Sequence, residues 1–239
     1  MNRRYLGRVS SPDTDVPPLR GRAREAQSND EAILLAAHDV FSEYGWGAPM
    51  AEVAARAHTG VASIYRRYPS KTELVNAIRE LTLEQICVRA EECVAEARAA
   101  HPGISAVALF LRGHILSATA PMGVTFGRYV ETTPQIDQLG ERLHAALLDI
   151  VAVDHELGLI PRHYGPADVM LTITHLRPSL AVAPERAIEI HLRELDYVLH
   201  GLRAVAAQNT PVSGEPSNWQ EWLRLNSTNG GMASERAAD

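Results

Sequence analysis

The side chains of this 239-residue chain best suited to binding chemistry lie in one run, "HTGVASIYRRYPSK", residues 58–71. Read as a short helix between two turns, it presents Gly60, Ala62 and Ser63, which carry so little bulk that the backbone can approach a groove closely. Ser63 can hydrogen-bond a base edge or a phosphate. Arg66 and Arg67 can reach phosphates or a guanine, and Tyr65 combines ring packing with a phosphate hydrogen bond. Lys71 opens the next helix, where backbone N–H groups also favour a phosphate. With Thr59 and Val61 at the helix entry, the candidate contacts are Thr59, Gly60, Val61, Ala62, Ser63, Tyr65, Arg66, Arg67 and Lys71. Ile64 and Tyr68, four residues apart, are the expected anchors to a small core. This is the chemistry of recognising a polyanion, and it makes no bonds.

Catalytic and metal chemistry find weaker support. Glu141 and His144 form a Glu-x-x-His step, the carboxylate–imidazole pair of di-iron helical bundles, but such bundles need a second copy and further inward carboxylates, and the chain supplies none. "DHE" at 154–156 with His163 is the best local metal cluster, yet it lacks cysteines and defined ligand spacing. No Ser-His-Asp signature, phosphate loop or dinucleotide fingerprint occurs. We therefore expect no catalytic residue, no metal and no cofactor. A helical metal protein or enzyme built on Glu141 and His144 is the alternative reading, beside a non-specific architectural DNA binder. Cys87 and Cys93, six apart, fall about 240° apart around a helix and are expected to be small buried or half-buried thiols.

Composition sharpens the choice. The chain is 46% hydrophobic with a formal charge of −6. Residues 1–80 carry 11 Lys and Arg against 10 Asp and Glu, whereas the rest carries 12 against 19. The first 28 residues hold six arginines against Asp13, Asp15 and Glu25. An acidic body with a basic end suits a protein that meets an anion at one end only. It argues against an architectural binder, which needs broad basic surfaces. No apolar run approaches the ~20 residues that span a bilayer. The N-terminus lacks the apolar stretch of a signal peptide, so a cytoplasmic location is expected.

The positioning elements follow from periodicity. Residues 1–28, with Pro12, Pro17, Pro18 and scattered arginines, read as a mobile basic arm. A helix is expected to start at Ser28, Asn29 or Asp30, with Ile33, Ala37, Val40 or Phe41, and Tyr44 on one face and Gly45 as its stop. Pro49 opens a second short helix with Met50, Val53, Ala54 and Ala57 apolar. The 58–71 run supplies the third. Ser70 and Glu73 then form a capping box for a helix carrying Leu74, Ile78, Leu81 and Ile86 and running towards Ala100. Further helices are expected at 104–118, 122–131, 134–157, 166–177 and 184–207. A short one is expected in "NWQEWLRL", with Trp219, Trp222 and Leu223 packing back on the body. The fold class is all-α, with a helix-turn-helix domain at 29–75, a larger helical domain at 76–208 and a partly disordered tail at 209–239.

Three short helices, the second and third joined by a tight turn, match a helix-turn-helix unit. "ILLAAHDVFSEYGWGAPMAEVAARA" followed by "GVASIYRRYPSKTELVNAI" resembles the N-terminal domain of TetR-family transcriptional regulators, over roughly residues 30–80. The family usually has Gly-Val in the turn, where this chain has His58-Thr59. We expect the turn to survive, His tolerating a left-handed position and Thr59 or Gly60 serving as cap; the alternative is a distorted motif. The resemblance implies a homodimer that places two recognition helices on a palindromic operator in double-stranded DNA and is released by a small-molecule effector, as a repressor. It also implies a dimer contact from the last two helices of each subunit, here Leu176, Ile188, Leu192, Leu195, Val198 and Leu199. Phe110, His114, Met122, Phe126, Tyr129 and His175 mix apolar walls with polar groups, as effector sites do. The basic arm, especially "LRGRAR", is expected to enter the minor groove beside the site, as arginine-rich arms do.

Overall fold

The computed structural model describes residues 21–100, 104–117, 130–176 and 180–225, with side chains from residue 30 onward. All regular structure among them is helical: α1 (Gly21–Tyr44), α2 (Met50–Arg56), α3 (Val61–Arg67), α4 (Lys71–Ala99), α5 (Ala106–Leu116), α6 (Pro134–Glu156), α7 (Pro166–Leu176), α8 (Pro184–Gln208) and α9 (Trp219–Leu225). The chain divides after Leu74, within α4, into two compact units. Most of the arm and residues 122–129 of the helix expected at 122–131 lie outside the described residues, while 130 and 131 are not helical.

In the first unit, Ile33, Ala37, Val40 and Phe41 of α1 are buried, with Val53 and Ala54 of α2 and Ile64 of α3. This is the face that the three-to-four spacing selects. Two details differ from the sequence reading. Helix α1 begins at Gly21, so none of Ser28, Asn29 and Asp30 is its cap. Nothing in the run from Gly21 to Asn29 breaks a helix, and good caps are only permissive. Tyr44 is exposed, its phenol hydrogen-bonded to the adjacent Glu43 carboxylate. Gly45 does stop the helix, at φ +69°.

The second unit packs α5 against α6, α7 and α8. Phe110, Leu111, Leu143, Leu147, Ile150 and Leu195 are fully enclosed. Cys87 and Cys93 of α4 join this core as free thiols. Arg142 of α6 forks onto Glu91 at 2.7 and 2.8 Å and onto Glu84 at 2.6 Å, tying α6 to α4. Asp154 of α6 is wholly buried at the start of α5, where its carboxylate accepts from the Ser105 hydroxyl, from Ala106 N–H at 2.7 Å and from Val107 N–H at 3.4 Å. An anion there meets the N–H groups that a helix start leaves unpaired.

These placements dissolve the rival clusters. Asp154 is spent as a cap, His155 bonds the Pro161 carbonyl at 3.0 Å, and Glu156 and His163 are exposed. His144 stacks flat on Trp219 with ring centroids 4.5 Å apart, and Glu141 is exposed. No group of metal-ligating side chains converges among the described residues. Trp219 enters the core, with Trp222 and Leu223 packed against it. No helix among the described residues is long and apolar enough to cross a membrane.

Candidate nucleic-acid interface

The α2–α3 turn is built on two backbone hydrogen bonds. Thr59 N–H donates to Ala54 C=O at 2.9 Å and His58 N–H to Ala55 C=O at 3.2 Å. This is the two-bond left-handed cap that closes many helices, and it requires positive φ at the residue after the C-cap. His58 takes that position at φ +51°. The same bonding recurs after α6, where Gly158 sits at φ +66° and Leu159 N–H reaches Asp154 C=O. One chain thus uses the motif twice, once with glycine and once with histidine. The turn survives the His58-Thr59 pair, and the cap of α3 is Gly60, in extended backbone with no side-chain hydrogen bond.

Helix α3 separates its faces cleanly. Ile64 is fully buried, while Gly60, Val61, Ala62, Tyr65 and Arg66 are exposed. Residues spaced one, four and five apart lie on one side of a helix, so Val61, Ala62, Tyr65 and Arg66 form the outward strip. Thr59 and Ser63 are half-buried at its edge. Tyr68 is half-buried, and burial holds its phenol above the ordinary pKa.

The basic side chains divide into three situations. Arg66 has no hydrogen-bond or ion-pair partner among the described residues. Arg67 is ion-paired to Asp30 of α1 at 2.5 Å. Lys71, the single lysine, turns its ammonium to the carbonyls of Trp46 and Ala48, the latter at 2.8 Å, and lies 5.0 Å from the Phe41 ring centroid and 5.3 Å from that of Trp46. Burial pushes its pKa down. Its charge therefore holds the α1–α2 connection to the start of α4. Ser70 caps α4 by accepting from Glu73 N–H at 3.1 Å. Arg56 of α2 donates to Glu43 of α1 at 2.9 Å, a second strut between the short helices and α1. Asp30, Glu43 and the two carbonyls escape a sequence reading: Asp30 looks like a cap, and backbone carbonyls carry no residue signature.

The family model described as "Bacterial regulatory proteins, tetR family" matches residues 33–78, which take in the α2–α3 turn, the whole of α3 and the Lys71 contacts but not Asp30. Residues 33–78 are a TetR-family DNA-binding unit. A TetR transcription regulatory protein from Mycobacterium vanbaalenii is 25% identical, with a TM-score of 0.54 over 76% of this chain and 99% of that one. A TetR transcriptional regulator from Streptomyces coelicolor is 23% identical, with a TM-score of 0.50 over 73% and 98%. No curated protein sequence matches significantly. With this helix-turn-helix unit and a larger helical body, the chain has the architecture of a DNA-binding transcriptional regulator of the TetR type.

The other candidate residues scatter. Phe110 and His114 are both buried, four apart on one side of α5. His175, in the last turn of α7, is exposed and does not join them. Met122, Phe126 and Tyr129 lie outside the described residues. Of the expected dimer contacts, Leu195 and Leu199 are buried in the unit's own core, and Leu176, Ile188 and Leu192 pack against it. Within the single chain the periodic stripe lies on the core-facing side of α7 and α8, with Leu195 and Leu199 inside the core and Leu176, Ile188 and Leu192 partly buried at its margin. Val198 remains partly exposed, beside Pro161, Tyr164 and Val212 in a groove of about 260 Å³.

Proposed function

We propose that this TetR-family regulator is a homodimeric repressor that grips a palindromic operator through α3 and lets go when a small molecule enters its helical body. The reading rests on the outward strip of α3: a glycine cap, a small alanine and Arg66, unpartnered among the described residues and flanked by Tyr65, on a helix whose one fully buried side chain is Ile64. Such a helix sits deep in a major groove, with Arg66 free to take a phosphate or a guanine edge. The remaining contacts are Thr59, Val61 and Ser63 at the helix entry, with Arg67 behind them, and Lys71 supports them by clamping the α1–α2 connection. Of the three described residues expected at the effector site, Phe110, His114 and His175, the buried pair Phe110 and His114 is assigned to it. The dimer contact falls on the faces of α7 and α8 that the body's own core leaves uncovered, with Val198 among them.

Selection of bound fragments from genomic DNA by the full-length protein tests this directly. The expected result is one enriched palindrome whose half-sites lie about one helical turn apart, on the order of 34–36 Å. Arg66→Ala should weaken that binding at least tenfold, since one charge-assisted contact is worth about 1.5–3 kcal/mol. Enrichment of no sequence, or binding indifferent to Arg66→Ala, would sink the proposal.

A further inference from the structure

The described side chains of the DNA-binding unit are short of positive charge. Residues 30–74 hold four cations, Arg56, Arg66, Arg67 and Lys71, against six carboxylates. Arg56 is committed to Glu43, and Lys71 to the carbonyls of Trp46 and Ala48. One further cation on or beside the recognition helix would therefore change its affinity for a phosphate backbone substantially. Arg67 is that cation. It is the last residue of α3, next to the unpartnered Arg66, and its side chain keeps about a third of its surface in solvent. What faces it is the carboxylate of Asp30, 2.5 Å from its guanidinium and itself 42% exposed.

We propose that Asp30 is a built-in competitor for a DNA phosphate: it occupies the Arg67 guanidinium in the free protein and so sets the operator affinity below what the motif could reach. The chemistry is direct. A carboxylate and a phosphate present similar oxygens to the same guanidinium fork, so Arg67 serves one at a time with its full donor set. The pair is partly solvated, which makes it weak enough to open. Asp30 sits on α1 rather than α3, so its removal leaves the recognition helix, its Gly60 cap and its Ile64 anchor in place. Because a phosphate carries no sequence information, the control acts equally on operator and unrelated DNA.

The inference rests on the DNA-binding reading above, and its test separates the two. Full-length wild type, Asp30→Asn, Asp30→Glu and Arg67→Ala, with the Asp30→Asn/Arg67→Ala double variant, are titrated onto the selected operator duplex and a scrambled duplex. Asp30→Asn should bind both duplexes about two- to fivefold more tightly at physiological salt, the range set by a partly exposed ion pair. One added phosphate contact steepens the log-affinity against log-salt slope by about 0.9, so the gain over wild type should shrink about 3.5-fold between about 50 and about 200 mM salt. Asp30→Glu, which restores the charge, should return towards wild type. In the Arg67→Ala background the Asp30→Asn change should have no effect. An Asp30→Asn protein that melts like wild type yet binds no tighter overturns the inference, as does an equal gain without Arg67. If Asp30→Asn melts lower, the Asp30→Glu titration and the salt slope of the folded fraction decide by the same criteria. A wild type that binds neither duplex fails the regulator reading itself, whatever Asp30 does.

Discussion

Histidine at position 58 is the residue whose replacement tests the helix-turn-helix geometry most sharply. At φ +51° it occupies a left-handed conformation that costs an L-residue about 1–2 kcal/mol. Histidine belongs to the types that tolerate it best, so the lower end applies. Glycine removes that cost but returns part of it, about 0.4–1 kcal/mol, through a freer unfolded chain. His58→Gly should therefore stabilise the first unit by only about 0.5 kcal/mol, counting both effects. His58→Val, β-branched and poorly suited to positive φ, should destabilise it by about 1–2 kcal/mol. The two variants should thus differ by about 2 kcal/mol, or roughly 8–16 °C in the melting of a unit this small. Thermal unfolding followed by far-ultraviolet circular dichroism measures the difference. Hydrogen exchange at the Thr59 amide, bonded to Ala54, localises it to the turn. Gly158→Ala is the internal control: a Cβ there meets nothing within 4 Å, so only its φ of +66° is tested, and a loss of about 1 kcal/mol is expected in the second unit. A His58→Gly protein less stable than wild type, or a harmless His58→Val, would refute the reasoning.

Other outcomes follow from single side chains. Asp154→Ala strands the Ser105 hydroxyl and two N–H groups at the start of α5 and should cost about 3 kcal/mol in urea unfolding of the second unit. Lys71→Met keeps the packing on Phe41 but leaves two carbonyls without their donor; a loss of about 2 kcal/mol is expected in thermal melts. In the native protein the Lys71 amine should react with acylating reagents far more slowly than in urea. Burial raises both cysteine thiols from 9.0 to about 11, so neither should react with Ellman-type disulfides near neutral pH until the chain unfolds. The sign for stability follows: above pH 9 the unfolded thiols ionise while the folded ones stay protonated, so stability should fall as pH rises from 9 towards about 11, read by urea titration across that window.

Much of the DNA-binding unit was legible before any coordinates. Its information is local: the spacing of Ile33, Ala37, Val40 and Phe41, a glycine stop at Gly45, Pro49 at a helix start, Ser70 three residues before Glu73, and small residues at the head of α3. Each acts within one or two helical turns, so sequence distance and spatial distance coincide. The start of α1 was not legible in the same way, because Ser28, Asn29 and Asp30 permit a cap without requiring one, and the helix continues back to Gly21.

The body reads differently. A stripe such as Ile188, Leu192, Leu195 and Leu199 states that one side of α8 is apolar, and the sequence is silent on whether its own core or a second subunit covers that side. Within the single chain, packing puts Leu195 and Leu199 in the core and leaves Ile188 and Leu192 partly buried at its margin. Charge behaves likewise. Arg66 and Arg67 are adjacent and chemically identical, yet among the described residues one has no partner and the other meets Asp30, thirty-seven positions away. Lys71 looks like a phosphate ligand by position and becomes a clamp because folding brings two carbonyls and two rings to its ammonium. By itself, then, the sequence determined the helices, their caps and the motif, since these depend on neighbours along the chain. Only the tertiary structure decided which charges remain available to DNA, since partners distant in sequence compete for the same donors.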